Sequence, residues 1–428
     1  MDIQKIIGRH KQTVAQLLLH YTPKEPLHLY LKKYFAAHKK HGSKDRKYIT
    51  TLLYSYFRLG KNIQALQKER SLSDLLDISC FITENIVIAG FMEHALRELT
   101  ADKWLQSDDV PSDAVQRFHL ISQAYPALQQ ALLFPFKVPL SEGLQRAAVE
   151  QRQLFQPDVF LRIREKTGGK PGSEAVIQQL RAAQIPYKLY APDCISVAAG
   201  TPIQQYLEIN RQVVIQDSSS QQMAQFMQTA LQALGAPPSG KRPVAHAPLK
   251  IWDCCAASGG KSILVFDLAS QLELPIKLMV TDVRASILKN LEMRFKQAGI
   301  SNYHKQVVDL LSPAALPIQG DFDLIICDAP CSGSGTWARN PENIQYFKEN
   351  SLDEYFQKQT GIARKAWSRL KPGGFFLYMT CSVFARENEQ VSEFIAANSD
   401  MTIITQKVVT GFAQNQVSMF AALYTRKK

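Results

Sequence analysis

Long apolar runs are missing from this 428-residue chain. No stretch reaches the roughly 20 consecutive apolar residues that a membrane-crossing helix needs. The opening, Met1-Asp2-Ile3-Gln4-Lys5, lacks the character of a signal peptide. The seven cysteines form no CxxC pair, and no His cluster has zinc-ligand spacing. These absences set aside a disulfide framework and a zinc-binding module, and no metal is expected. Free thiols without an export signal point to the reducing cytoplasm. Internal repeats and low-complexity tracts are also missing, which sets aside repeat architectures. Acidic residues are scarce at the front of the chain. Residues 1–70 hold 15 Lys and Arg against 4 Asp and Glu, a balance of +11 within a net charge of +12.

What is present is the composition of an ordinary folded protein: 46% hydrophobic and 21% charged. The length predicts two or three domains. Residues 1–145 read as helical. Ile6, Val14, Leu17 and Leu18 recur at helical spacing, as do Ile49, Leu52, Leu53, Tyr56 and Phe57. An all-α bundle follows. Its densest basic stretch is Lys32, Lys33, Lys39, Lys40, Lys44, Arg46 and Lys47, with Tyr30, Tyr34, Phe35 and Tyr48 interleaved. A charge run is commonly just a solvated face. The strong asymmetry favours nucleic-acid phosphates instead.

Residues 146–235 change character. Asp158–Ile163 alternates like a strand, and Ser173–Ala183 reads as a helix with Ser173 as N-cap. Ile185–Leu189, Cys194–Val197 and Val213–Gln216 are further strands, so a small α+β domain is expected. Gln216-Asp217-Ser218-Ser219-Ser220-Gln221 then opens a helical run, with Asp217 or a following Ser as its cap. Ala236–Pro243 is a loop by composition. From there strands alternate with helices: Leu249–Cys254, Lys277–Asp282, Tyr303–Val308, Phe322–Asp328, Phe375–Thr380, Thr402–Lys407 and Val417–Tyr424. Such alternation predicts a largely parallel, doubly wound sheet over 236–428, closed by an antiparallel edge pair.

Ligands bind such sheets beyond the carboxyl ends of the strands. Cys254-Cys255-Ala256-Ala257-Ser258-Gly259-Gly260-Lys261 follows the first strand. Its small residues let a ligand approach the backbone, and the helix beyond offers free amides. The Lys-Ser ending resembles a phosphate loop, but Cys255 stands where that loop needs Gly. Asp282 ends the second strand and can accept bonds from ribose hydroxyls. Asp309 follows the third and can meet an adenine amino group. Either Asp alone is more often a turn or cap residue. Together they favour an adenosine-bearing cofactor.

Two thiols follow two later strands. Cys331 lies in Asp328-Ala329-Pro330-Cys331-Ser332-Gly333-Ser334-Gly335, and Cys381 in Thr380-Cys381-Ser382. Both should face one crevice, where a thiolate can attack an electron-poor carbon. Cys80, Cys194 and Cys327 read as buried small apolar residues, and Cys254 and Cys255 as an unreactive lining.

The chain resembles the RNA cytosine-C5 methyltransferases of the RsmB, Sun and NSUN type, over about 216–428. Gln216-Asp217-x-Ser219-Ser220, the Cys255–Lys261 loop, Asp328–Gly333 and Thr380–Ser382 carry the resemblance. It implies a Rossmann-like methyltransferase domain at 236–428 that uses S-adenosyl-L-methionine. Cys255, Ala256, Ala257, Ser258, Gly259, Gly260, Lys261, Asp282, Asp309 and Asp328 would line the cofactor. Cys381 would attack carbon 6 of cytosine, and Cys331 would assist release. Asp328 would bond the cytosine edge, steadied by Lys261. The domain at 146–235 resembles the small domain preceding this family's core. Residues 1–145 resemble a NusB-like RNA-binding domain, best over Gly42–Arg58. The chain ends soon after its last strand, which favours 16S ribosomal RNA over transfer RNA as substrate. A monomer is expected. Transfer-RNA methylation and a non-catalytic, RNA-binding assembly factor are the competing readings.

Three residues depart from the family pattern. Ser258 stands where Pro is common, and Ile287 where an Arg often follows the ribose-binding acid. Trp337, ahead of Ala338-Arg339-Asn340-Pro341, could stack on a base or serve packing.

Overall fold

The computed structural model describes residues 3–83, 111, 113–164, 172–236, 247–411 and 417–428. The chain packs into two compact units. One comprises Met1–Val138, Leu144–Gln156 and Thr336–Glu349. The other comprises Pro139–Gly143, Pro157–Gly335 and Asn350–Lys428. This division differs from the three consecutive spans expected at 1–145, 146–235 and 236–428. The small sheet shares a unit with the large one, and 336–349 leaves the second unit for the first.

The described elements of the first unit are helices. Ile3–His20, Leu27–Ala37, Ser43–Arg58, Leu72–Thr83 and Ala114–Ala124 are the longer ones. Part of the expected bundle, 84–110, lies outside the described residues. Of the periodic apolar residues, Val14, Leu17, Ile49, Leu52, Leu53, Tyr56 and Phe57 enter one buried core, Leu18 packs against it, and Ile7 rather than Ile6 is the buried residue near the start. The Gly42–Asp45 stretch is the start of the third helix, where Gly42 N–H donates to Asp45 Oδ2 at 3.0 Å. The helix ends at Arg58, whose guanidinium is 1% exposed. It donates to the carbonyls of Gln153, Phe155 and Ala338 at 3.2, 2.7 and 2.8 Å. Burial lowers its pKa to about 10, so it remains charged at neutral pH.

Trp337 belongs to this unit. It is 1% exposed and meets Phe134, Phe136 and Phe347 at ring separations of 5.6, 5.5 and 4.9 Å. Packing, rather than stacking on a base, accounts for it. Tyr30, Tyr34 and Tyr48 also pack against the core, and Phe35 lies within it. The interleaved aromatics of the basic stretch thus face inward, while Lys32, Lys33, Lys39, Lys40, Lys44, Arg46 and Lys47 remain exposed.

The second unit carries two sheets. Strands β1 (Val159–Ile163), β2 (Tyr187–Ala191), β3 (Cys194–Val197) and β4 (Val213–Ile215) form an antiparallel sheet in the order β2-β3-β1-β4. The helix beside it begins at Gly172, so Ser173 sits inside the first turn rather than at the cap. Asp217 does occupy the N-cap position of Ser218–Gln221, but its side chain makes no capping bond. The loop expected at 236–243 lies, past Ala236, outside the described residues.

The large sheet comprises β5 (Leu249–Asp253), β6 (Ile276–Asp282), β7 (Tyr303–Val307), β8 (Phe322–Asp328), β9 (Leu370–Thr380), β10 (Met401–Thr410) and β11 (Ser418–Arg426). Their order is β7-β6-β5-β8-β9-β11-β10. The first five are parallel, and β11 runs antiparallel to both β9 and β10. β10 alone is therefore the edge strand at that end; β11 is inserted next to β9. Apolar clusters cover both faces of the sheet, which explains the near-continuous apolar runs of β8 and β9. Strand order reverses around β5, so the crevice beyond its carboxyl end is the natural ligand site.

Candidate active site

Three loops leave the carboxyl ends of β5, β8 and β9. These strands are parallel neighbours, so all three loops emerge along one edge. The Ala329 N–H donates to the Met379 carbonyl at 2.9 Å, which aligns the last two strand ends.

The loop after β5 turns through Ala257 (φ 45°) and Gly259 (φ 83°) into the helix Gly260–Gln271. A Cβ on Gly259 would meet the Phe295 ring at 2.7 Å, so glycine is required there by both backbone and space. A Cβ on Gly260 would meet nothing within 4 Å, so the helix start is open to a ligand. Asp282 accepts from the Ala257 N–H at 3.0 Å and from the Arg284 side chain and backbone. Its burial opposes ionisation. Arg284 and the Ala257 amide outweigh that and hold the carboxyl below its ordinary pKa. Arg284 thus engages the acid two residues from it; Ile287, at the position the family often gives to Arg, is half-buried. Asp309 is exposed two residues beyond β7, and its carboxylate accepts from the Leu311 N–H at 2.9 Å. Ser258 accepts from Arg294 Nη1 through its hydroxyl at 2.8 Å and its carbonyl at 3.0 Å. A proline there would lack the hydroxyl contact, so the departure at Ser258 has a local partner.

Lys261, in the first turn of that helix, donates to Asp328 Oδ2 at 2.9 Å. Burial would favour the neutral amine, but the Asp328 carboxylate outweighs it, raising the lysine above its ordinary pKa. Asp328 is the last residue of β8. Cys331 follows in the next loop, and Cys381 is the first residue after β9. Their Sγ atoms lie 3.3 Å apart, both partly exposed. Contact with Cys381, then burial, then the charges of Cys381 and Glu387 push the Cys331 thiol well up. Of the remaining cysteines, Cys80, Cys194, Cys254 and Cys327 are buried. Among the described residues, the sulfurs of Cys254, Cys255 and Cys327 fall within 4.8 Å of one another, at the core beneath the site.

Two residues absent from the sequence argument organise these loops. Glu387 is fully buried. Its Oε1 accepts from the Ser332 N–H at 2.7 Å and from Gln359 Nε2 at 3.1 Å. Its Oε2 accepts from the Ser332 hydroxyl at 2.5 Å and from the Ser382 hydroxyl. Asn388 donates to the Ser382 carbonyl at 3.0 Å and accepts from the Thr380 hydroxyl. No sequence signal separated Glu387 and Asn388 from the polar run around them.

Residues 244–425 match a family model described as 16S rRNA methyltransferase RsmB/F. Over that span the chain is similar to RsmB/F-type methyltransferases. The chain is 28% identical over 260 residues to Ribosomal RNA small subunit methyltransferase B of Enterobacter sp. strain 638. That match covers 60% of this chain and 56% of the relative. The protein of the same name from Klebsiella pneumoniae is 28% identical over 269 residues, covering 61% and 57%. The matched region thus spans little more than half of each relative. In fold, the chain is similar to a crystal structure of PH0851, with a TM-score of 0.59 and 18% identity over 99% of this chain and 97% of that one. A methyltransferase homologue from Pyrococcus horikoshii gives a TM-score of 0.50 at 18% identity, covering 67% and 92%. These likenesses fit a Rossmann-like methyltransferase fold.

Proposed function

We propose that this chain is an S-adenosyl-L-methionine-dependent RNA cytosine-C5 methyltransferase acting on 16S ribosomal RNA. The observation that carries the reading is the pair of thiols, 50 residues apart in sequence and 3.3 Å apart in space, beside the Lys261–Asp328 ion pair. One nucleophile needs one thiol; two at this distance suit chemistry in which a bond to sulfur must be made and then broken.

The geometry of the β5 loop supports a place for the cofactor there. Cys255, Ala256, Ala257, Ser258, Gly259, Gly260 and Lys261 would approach it, with Asp282 toward its ribose hydroxyls and Asp309 toward its adenine. The open Gly260 start of a 12-residue helix and the buried, ionised Asp282 fit such a group. When bound, it supplies an electrophilic methyl group. The Cys381 thiolate would add to carbon 6 of cytosine, which breaks the 5,6 double bond and makes carbon 5 electron-rich. Asp328, held by Lys261, would bond the cytosine edge as charge develops in the ring, where preorganised polar groups act most strongly. After methylation, carbon 5 loses its proton and the carbon 6–sulfur bond breaks, returning the electron pair to Cys381. Cys331, its thiol held protonated beside Cys381, would assist that release. The exposed lysines of the helical unit, in a NusB-like role, would neutralise RNA phosphates.

Methyl transfer from labelled S-adenosyl-L-methionine to unmodified small-subunit ribosomal RNA tests this. Label should appear as 5-methylcytosine and vanish with Cys381→Ala, while Cys331→Ala should accumulate a covalent protein–RNA adduct. An adduct with Cys381→Ala and none with Cys331→Ala would reverse the two roles. Transfer to transfer RNA alone would overturn the substrate.

A further inference from the structure

We propose that Glu387 is the positioning residue that holds both thiol loops of this site in one geometry. The donors around it are specific in origin. Ser332 directly follows Cys331, and Ser382 directly follows Cys381. Gln359 comes from the helix Ser351–Trp367 and also donates to the Pro330 carbonyl at 3.0 Å, on the other side of Cys331. One carboxylate therefore ties together the residues flanking both reactive sulfurs. An ionised carboxylate has about four acceptor sites, and these four donors fill that capacity. The Ser332 N–H and the Gln359 amide at Oε1 can only donate, while the Ser332 and Ser382 hydroxyls at Oε2 can also accept. A carboxylate can accept from all four, and charge-assisted bonds are the stronger kind.

The carboxylate acts through field as well as position. Buried negative charge near Cys331 disfavours its thiolate, which contributes to that thiol's raised pKa. The other titratable groups facing these elements are Tyr378 of β9, Tyr355 of the helix Ser351–Trp367 and the Lys261–Asp328 pair. Tyr378 donates to the Glu387 backbone carbonyl at 2.7 Å, so the backbone is pinned independently of the carboxylate. Substituting the side chain should then change the loops without releasing the chain that carries them.

The thiol half of the inference is independent of what the site does; its catalytic half rests on the reading of the site as a methyltransferase. The full chain is compared as wild type, Glu387→Gln and Glu387→Asp. Alkylation of Cys331 and Cys381 by iodoacetamide is followed across pH by peptide mass spectrometry, beside kcat and KM. Glu387→Gln should move the Cys331 profile to lower pH, because a charge opposing its thiolate is gone. Its kcat should fall on the order of 100-fold through misplaced thiols, with KM for the cofactor within about twofold. Glu387→Asp keeps the charge but shortens its reach, so kcat should fall while the Cys331 profile stays high. Unchanged profiles and kcat in Glu387→Gln would overturn the proposal. So would joint alkylation of the buried Cys254 and Cys327, which would mark a carboxylate that only holds the fold. A shifted Cys331 profile in a chain inactive on every RNA would leave the positioning role standing and overturn the methyltransferase reading instead.

Discussion

Lys261 and Asp328 show how one residue's meaning changes between sequence and structure. In sequence, Lys261 is the end of a Gly-Gly-Lys turn; in space its amine lies 2.9 Å from the acid that ends a different strand. Lys261→Met preserves the stem's packing and removes the charge. Turnover should fall on the order of 100-fold, as for loss of a preorganised polar group. Equal turnover would mean that Asp328 needs no partner. Asp253, at the end of β5, gives a prediction about pH. Its carboxyl is fully buried, accepts from the Ser262 hydroxyl at 2.6 Å and leaves Oδ1 without a partner. Burial raises its pKa from 3.8 to about 7. The folded state therefore holds a proton that the unfolded state releases, and stability falls as pH rises through that interval. Asp253→Asn removes the linkage. Chemical denaturation across pH 4 to 7 should show a shallower decline in the variant than in the wild type; an identical decline would assign the slope to other groups. Burial is also why the sequence concealed Glu387. Ala385-Arg386-Glu387-Asn388-Glu389 reads as a solvated polar run, and only the meeting of two distant loops turns its middle residue inward.

At the level of elements, β8 was legible in full, because Phe322–Asp328 is an apolar run between turn residues. β9 was legible only from Phe375. Its first residues, Leu370-Lys371-Pro372-Gly373-Gly374, carry turn signals, yet they extend the strand back to Leu370. Pairing with β8 decides that, since Phe322 is in register with Leu370 across an irregularity. The small sheet was readable because Asp158–Ile163 alternates in sequence and further short strand-like runs follow it; that it shares a compact unit with the large sheet was not. Arg162 and Arg164, on and just after β1, both pair with Asp267 at 2.8 and 2.7 Å, a link across about a hundred residues that no local pattern encodes. Gly335 shows how closely the Cys331 loop and its neighbours approach. Its N–H donates to the Cys381 carbonyl at 2.8 Å, and an added Cβ would collide with the carbonyls of Ser418 and Cys381. Gly335→Ala must push these backbones apart, at a cost of about 1–3 kcal/mol. A lowered denaturation midpoint and slower turnover are expected. Unchanged stability would show that the loop can yield there.

Across the whole molecule, charge is divided as unevenly as the fold. The first 70 residues carry +11 of the net +12. The structure sorts that stretch by chemistry. Tyr30, Tyr34, Phe35 and Tyr48 go into or against the helical core, and Lys32, Lys33, Lys39, Lys40, Lys44 and Lys47 stay exposed. Lys33 meets Glu25 at 2.7 Å, Lys11 meets Asp77 at 2.5 Å, and Asp45 is engaged by His10 at 3.0 Å. A surface built this way attracts phosphates through charge, with base stacking left to other residues, so its contribution should be strongly salt-dependent. Replacing Lys39, Lys40, Lys44 and Lys47 with Gln keeps long polar side chains on the same surface and removes four charges. Binding to a small-subunit ribosomal RNA fragment should weaken most at low salt. The slope of log affinity against log salt should flatten by up to roughly 3, the release of about 0.7 counterion per contact on single-stranded RNA. Equal slopes for variant and wild type would place the RNA contact elsewhere and leave the basic helices as a solvated surface.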